Sequence, residues 1–265
     1  MNKLLFLTFI TALCSINAYS DNSQNYKRIE KDIDLKGTFN AIQTSVGIKV
    51  EYTVTPADKK PIAKLSVDSC VADYVMVEIK NNTLTVYFNN RDKNNIVCAN
   101  NPILYLSAPA VEKFTASSGS GISIKNELSV DNRKIFFNIS SGALIRADKV
   151  KCSTLSLDTS SGSKVDIASV ETRNLAVSAS SSSITTINKL TADNVTVSAS
   201  SAAQVNLSGT AGNAGISASS AAKVIAKDLH CKIADLSASS TAYANITSQN
   251  ATTSTSSLGK IDVNK

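Results

Sequence analysis

A pair of serines returns along the C-terminal part of this 265-residue chain at nearly constant spacing, and that period constrains the fold more than any other feature. The pairs begin at Ser117, Ser140, Ser160, Ser180, Ser200, Ser219, Ser239 and Ser256, in steps of 23, 20, 20, 20, 19, 20 and 17 residues. Self-similarity at such an interval marks a stacked-repeat architecture. Apolar residues keep the same phase. Phe137, Leu157, Val177, Val197, Ile216 and Leu236 each lie three residues before a pair, while Ile122 and Ile124, Val165 and Ile167, Val205 and Leu207, Ala244 and Ile246, then Ile261 and Val263 follow at five and seven. Alternation by two is the period of a strand with one buried face. A unit this short cannot bury that face alone, but units stacked at about 4.8 Å share a continuous core. Eight such rungs would span about 38 Å. The expected fold is therefore all-β, a parallel β-solenoid (β-helix) of about 20-residue rungs, right-handed by the rule for parallel crossovers. Gly119, Gly142, Gly162, Ala202 and Ala221 just after the pairs suit tight corners.

Composition fits this reading: only 5% of residues are aromatic and none is Trp, so the core must be built from Val, Ile, Leu and Ala. Of the 39 serines, 32 lie after Phe114, which divides the chain into two compositional halves. Residues 37–113 lack the repeat and read as an irregular N-terminal β region capping one end, with 114–265 as the Ser-rich solenoid. Within the cap, Val77 to Ile79 and Leu84 to Phe88 flank Asn81-Asn82, a two-residue hairpin signal. A second strand pair is expected around Pro109, where Ile103, Tyr105 and Ser107 alternate.

Residues 1–20 read as a secretory signal, with Lys3, an apolar run from Leu4 to Ile16 and a small-x-small site at Ala18-Tyr19-Ser20. Leu13 before Cys14 disfavours lipidation. The run is too short to span a bilayer, and no later stretch is long enough, so the mature chain is expected to have no transmembrane segment. Residues 21–36 are polar and mixed in sign, the composition of a flexible segment. The net charge of +6 is spread without a dense basic block, which argues against nucleic acid as a partner.

The residues Phe39-Asn40-Ala41-Ile42, Val46-Gly47-Ile48-Lys49-Val50, Leu104-Tyr105-Leu106-Ser107-Ala108-Pro109 and Ser118-Gly119-Ser120-Gly121-Ile122 resemble the head GIN domain family of autotransporter adhesins, over roughly residues 37–265. That resemblance implies an exported bacterial β-solenoid at the periplasm or cell surface, with no catalytic residues to carry over. The repeats leave no strands for a membrane barrel, so the expectation is not a complete autotransporter.

Export to an oxidising compartment makes a disulfide between Cys70 and Cys98 the expected pairing in the N-terminal region, against two unpaired thiols. Cys152 and Cys231 each stand eight residues before a pair, hence four rungs or about 19 Å apart, too far to bond. With Thr172, Ala192 and Ala211 between them they read as a ladder of small buried residues. His230 is the only imidazole, so a two-His metal site is excluded and no cofactor is implied.

Parallel β-helices host polysaccharide-cleaving enzymes, and Asp148 and Asp166 are the best carboxylate pair for that chemistry, at an expected separation of about 8 Å. Two solvated surface carboxylates are the simpler reading. The most regular exposed feature is a Ser-x-Ser array: Ser178 and Ser180, Ser198 and Ser200, Ser217 and Ser219, Ser237 and Ser239, then Ser254 and Ser256. Strand alternation directs both members outward as two files of hydroxyls that could meet a glycan, a cell-surface protein or ordered water, or merely keep the sheet soluble. Lys164, Lys223 and Lys260 form a file broken by Ile184, Gln204 and Tyr243. The functional expectation is a non-enzymatic binding or adhesin-like module of the cell envelope. Its alternatives are a polysaccharide-active enzyme and a periplasmic structural protein, with homo-oligomer contact through a solenoid end left open.

Overall fold

The computed structural model describes residues 27–89 and 100–265. The expected leader, Cys14, residues 21–26 and Cys98 lie outside them. Among the described residues every regular element is a strand, and the chain is an all-β solenoid of stacked coils about 20 residues apart.

The repeats supply the long strands β9 (Gly121–Ile139), β10 (Leu144–Thr159), β11 (Lys164–Ala179), β12 (Ile184–Ala199), β13 (Gln204–Ala218), β14 (Lys223–Ala238), β15 (Tyr243–Thr255) and β16 (Lys260–Asn264). Each pairs in parallel with the next, which places equivalent residues of successive coils directly above one another. Each Ser pair opens a corner. In every repeat the second serine and the residue after it both adopt left-handed backbone, as in Ser118-Gly119, Ser161-Gly162, Ser201-Ala202 and Ser240-Thr241. The turn closes with an i+3 bond such as Ser120 N–H to Ser117 C=O, the geometry of a type I′ turn. Corners then bond to corners: Gly119 donates to Ser141, Gly142 to Ser161, Gly162 to Ser181 and Ser182 to Ser201, all at 2.9–3.0 Å. Glycine pays no steric penalty in this conformation, whereas the Thr241 side chain is strained by it.

Irregular repeat lengths are absorbed at bends within the coil. The 23-residue first step places one extra residue between Ile124 and Glu127, opposite Ala147 to Lys149. Two more lie between Val130 and Lys134, opposite Cys152 to Thr154. Asn126 and Asn132 take positive φ at these bulges. The shortened coil of β13 loses its residue between Leu207 and Gly209, opposite Ile187 to Leu190. There Gly209 lies so close to the Leu190 backbone that a Cβ would meet its carbonyl oxygen at 2.1 Å.

The N-terminal strands are β1 (Arg28–Ile33), β2 (Ala41–Thr44), β3 (Lys49–Thr55), β4 (Ile62–Asp68), β5 (Val75–Lys80), β6 (Thr83–Phe88), β7 (Ile103–Pro109) and β8 (Lys113–Ala116). The coil register starts within them, before the first Ser pair. β2 pairs in parallel with β8 and β3 with β9, and Val46-Gly47 forms a corner whose Gly47 N–H donates to Ser118 C=O. Below this level β6 runs parallel to β2 and β7 parallel to β3. Antiparallel β5, β4 and β1 finish the two edges. The Asn81-Asn82 turn is the expected hairpin, with both residues at positive φ. The expectation around Pro109 needs correction: β7 ends on it and β8 follows, but β7 pairs with β3 and β4 while β8 pairs with β2 and β9, because the coil register captures each separately.

The core follows the expected phase. Phe137, Leu157, Val177, Val197, Ile216 and Leu236 are all buried, as are the apolar pairs after each corner as far as Ile246. At the N-terminal end Tyr52, Phe114 and Phe137 stack in series, with centroids 5.9 and 5.1 Å apart. Where the residue closing a corner is serine, its buried hydroxyl donates to a carbonyl of an earlier coil: Ser120 to Thr44, Ser163 to Ile139 and Ser183 to Thr159, at 3.0–3.1 Å.

Candidate functional site

The last segment of each coil, leading into the Ser-pair corner, alternates strictly between buried and outward residues and so presents three parallel files. The file next to the corner runs Asp158, Ser178, Ser198, Ser217, Ser237 and Ser254, one per coil and in register. Ser178, Ser198, Ser217 and Ser237 are exposed, and the Ser237 hydroxyl donates to that of Ser217 at 3.1 Å. Their partners Ser180, Ser200, Ser219 and Ser239 are half-buried, because each is the first residue of a type I′ turn and its backbone is engaged at the corner. The two expected files are therefore unequal: one faces solvent and the other chiefly builds the fold.

The middle file is Phe136, Ser156, Ala176, Thr196, Gly215 and Asp235. The third is Thr154, Asn174, Asn194, Asn213, Ile233 and Asn250. Here the sequence reading missed a ladder. Asn213 Nδ2 donates to Asn194 Oδ1 at 3.0 Å, and Asn194 Nδ2 donates to Asn174 Oδ1 at 3.1 Å. Coil spacing matches amide reach, so each side chain is held by its neighbour while a second N–H stays free. The signal was present: asparagine recurs six residues before the pairs at Ser180, Ser200 and Ser219. Across β11, β12 and β13 this face carries no charged side chain, being Asn174, Ala176, Ser178, Asn194, Thr196, Ser198, Asn213, Gly215 and Ser217. Two large apolar residues stand exposed on it, Phe136 at 44% and Ile233 at 56%.

Other candidates are placed apart from this face. Asp148 accepts the Asn126 backbone N–H at 3.3 Å, whereas Asp166 stands in another file beside Arg146. Each carboxylate thus has its own polar or cationic neighbour. Cys152, Thr172, Ala192, Ala211 and Cys231 form one buried file, as expected, and both thiols are free. Burial pushes the Cys152 thiol up from its ordinary range, partly offset by the Thr172 hydroxyl 3.8 Å away, so it is a poor nucleophile at neutral pH. His230 is exposed between Thr210 and Thr247 of the adjoining coils. Lys164, Lys223 and Lys260 occupy the expected interrupted file, and Lys260 sits 5.6 Å over the Tyr243 ring. Cys70 is disulfide-bonded. No helix among the described residues is long and apolar enough to cross a membrane.

A family model described as "Putative auto-transporter adhesin, head GIN domain" matches residues 38–207 and again 158–264. The chain belongs to the head GIN domain family. The second match begins inside the first, as expected where the repeated coil is itself the matched pattern. The fold is that of a putative adhesin from Parabacteroides distasonis, which superposes with a TM-score of 0.78 at 14% identity over 90% of this chain and 98% of that one. A putative adhesin from Parabacteroides merdae gives 0.59 at 21% identity, covering 91% and 96%. A putative lipid binding protein from Parabacteroides distasonis gives 0.64 at 16% identity, covering 91% and 98%. No curated protein matches the chain.

Proposed function

We propose that this head GIN domain protein is an exported, non-enzymatic binding module of the cell envelope, and that the file Ser178, Ser198, Ser217 and Ser237 with its flanking Asn ladder is the binding face. The observation carrying this reading is the uncharged, hydrogen-bonded face maintained over three consecutive coils on a chain of net charge +6. A face without charge is cheap to desolvate, and side chains already held by one another lose little entropy on binding. The family's description as an auto-transporter adhesin supports a surface role, and the separation of Asp148 from Asp166 into different polar settings favours binding over glycoside cleavage. In this reading residues 1–20 are removed on export and Cys70 is bridged to Cys98. Peptide mapping without reductant should recover that pair.

The test is binding of purified protein to intact cells and to immobilised envelope material. Ser198→Lys with Ser217→Lys should weaken it at least tenfold while the circular dichroism spectrum stays unchanged. Binding unaffected by the double substitution would overturn the assignment of this face. Protease digestion of the native protein on intact cells is expected; protection until lysis would point instead to a periplasmic structural role.

A further inference from the structure

The face is not uniform along the solenoid, and its variation identifies a class of ligand. Phe136 lies on β9 and Ile233 on β14, five rung steps or about 24 Å apart. Between them the middle file is made only of the small, uncharged residues Ser156, Ala176, Thr196 and Gly215, a track that runs between the Asn ladder and the serine file. Gly215 has no side chain, and the nearest atom to a Cβ placed there would be 4.0 Å away. Charges return only toward the ends: Asp158 and Asp235 are exposed on the face itself, and Lys113 and Lys134 border Phe136.

We infer that this track binds an extended, uncharged, hydroxyl-rich polymer, a neutral polysaccharide, lying along the solenoid axis. The inference rests on the binding-face reading above and names its ligand class. A sugar ring has an apolar C–H face and a rim of hydroxyls, and the track offers a match for both. Phe136 and Ile233 provide exposed apolar surface at the two ends. The free amide N–H groups of Asn194 and Asn213 and the hydroxyls of Ser178 and Ser198 provide donors and acceptors between them, repeating at the rung spacing. On the face itself a polyanion would find no cation across β11, β12 and β13, and it would meet Asp158 and Asp235 at either side. A repeating polymer gains from several weak contacts in line, which a single sugar does not.

The experiment is affinity gel electrophoresis of the whole mature protein, run in about 0.15 M salt to screen the net positive charge. Mannan, xyloglucan and dextran serve as neutral probes, polygalacturonate and dextran sulfate as anionic ones. Retardation by at least one neutral polymer and not by the anionic ones is expected. Phe136→Ala and Asn194→Asp should each weaken it about tenfold, and Arg146→Ala on another face should leave it unchanged. Thermal melts establish that the variants remain folded, and Ile233→Ser replaces either one that does not. The inference is overturned by no retardation with any neutral probe, by preference for the anionic probes, or by retardation that the face variants do not alter. Cell binding that is sensitive to Ser198→Lys with Ser217→Lys but unaccompanied by neutral-polymer binding would reject the ligand class and leave the binding face standing. Cell binding unaffected by that double substitution, together with no retardation by any neutral polymer, would reject both readings.

Discussion

The N-terminal strands and the repeated coils reach the same corner geometry and the same parallel register by different physical means. In the coils each rung is templated by the one before it, and contacts join residues about 20 positions apart. Inward side chains can then be small: one buried file shrinks from Ile135 and Leu155 through Leu175 and Val195 to Ala214 and Ala234. In the N-terminal part the level below β9 is assembled from segments separated in sequence, β2 and β8 on one side and β3 on the other. There the bulky, fully buried Tyr52 and Phe114 reach the first coil through Phe137. Regular stacking tolerates a thin core because the backbone ladder and corner bonds repeat at every rung. An end built from distant segments must offset a larger loop-closure cost, and the aromatic series contributes burial and edge-to-face packing there.

If the aromatic series joins the two regions, Phe114→Ala should have the largest effect, about 3–5 kcal/mol from lost burial and the resulting cavity. Denaturant unfolding with amide exchange would show protection falling first in β2, β3 and β8. Uniform loss across all coils would erase the distinction drawn between the regions. In the coils the equivalent weak point is the backbone itself. Gly209→Ala must move the Leu190 carbonyl or break the rung bond, at a cost of about 3 kcal/mol. Exchange should then rise in β12 and β13 while the aromatic end stays protected.

Tyr52→Phe sharpens the comparison through pH. The Tyr52 hydroxyl donates to the Pro109 carbonyl at 2.6 Å, and burial raises its pKa far above the ordinary value of 10.0, partly opposed by the Val111 backbone. Above about pH 10 the unfolded chain releases this proton while the folded chain retains it, so stability falls as pH rises through that range. The variant should lose about 1 kcal/mol at neutral pH through the missing hydrogen bond and show a shallower alkaline fall. An unchanged alkaline slope, measured by denaturant titration at pH 7 to 11, would assign that loss to other groups. The smallest effect expected is a gain: Thr241→Gly relieves a β-branched residue at φ 63 and should stabilise the last coils by up to about 1 kcal/mol. A melting temperature that does not rise would mean that Thr241 gains as much from its hydrogen bond to Ser240 C=O as it loses to backbone strain.

Coil phase was legible in the residues because a strand's period of two and a near-constant repeat leave only one set of positions that can face inward. Cys152 and Cys231 fell in one file for the same reason. The role of the Ser pair was legible only in part. Its small polar residues marked the corner, but Ser180 and its equivalents were read as a second ligand file, whereas the turn half-buries them. The Asn ladder left a periodic trace at Asn174, Asn194 and Asn213 that was less conspicuous than the serines beside it.

Composition and period alone determined that this chain stacks, how far apart its rungs lie, and which residues are buried, since each of these follows from local alternation repeated at a fixed interval. Tertiary structure decided how β2, β3 and β8 interleave to found the first coil, where odd-length repeats absorb their extra residues, and that Phe136 and Ile233 share a face with an amide ladder. These depend on contacts between residues far apart in the chain, and on which neighbour a side chain meets across a rung, neither of which the spacing within a repeat specifies.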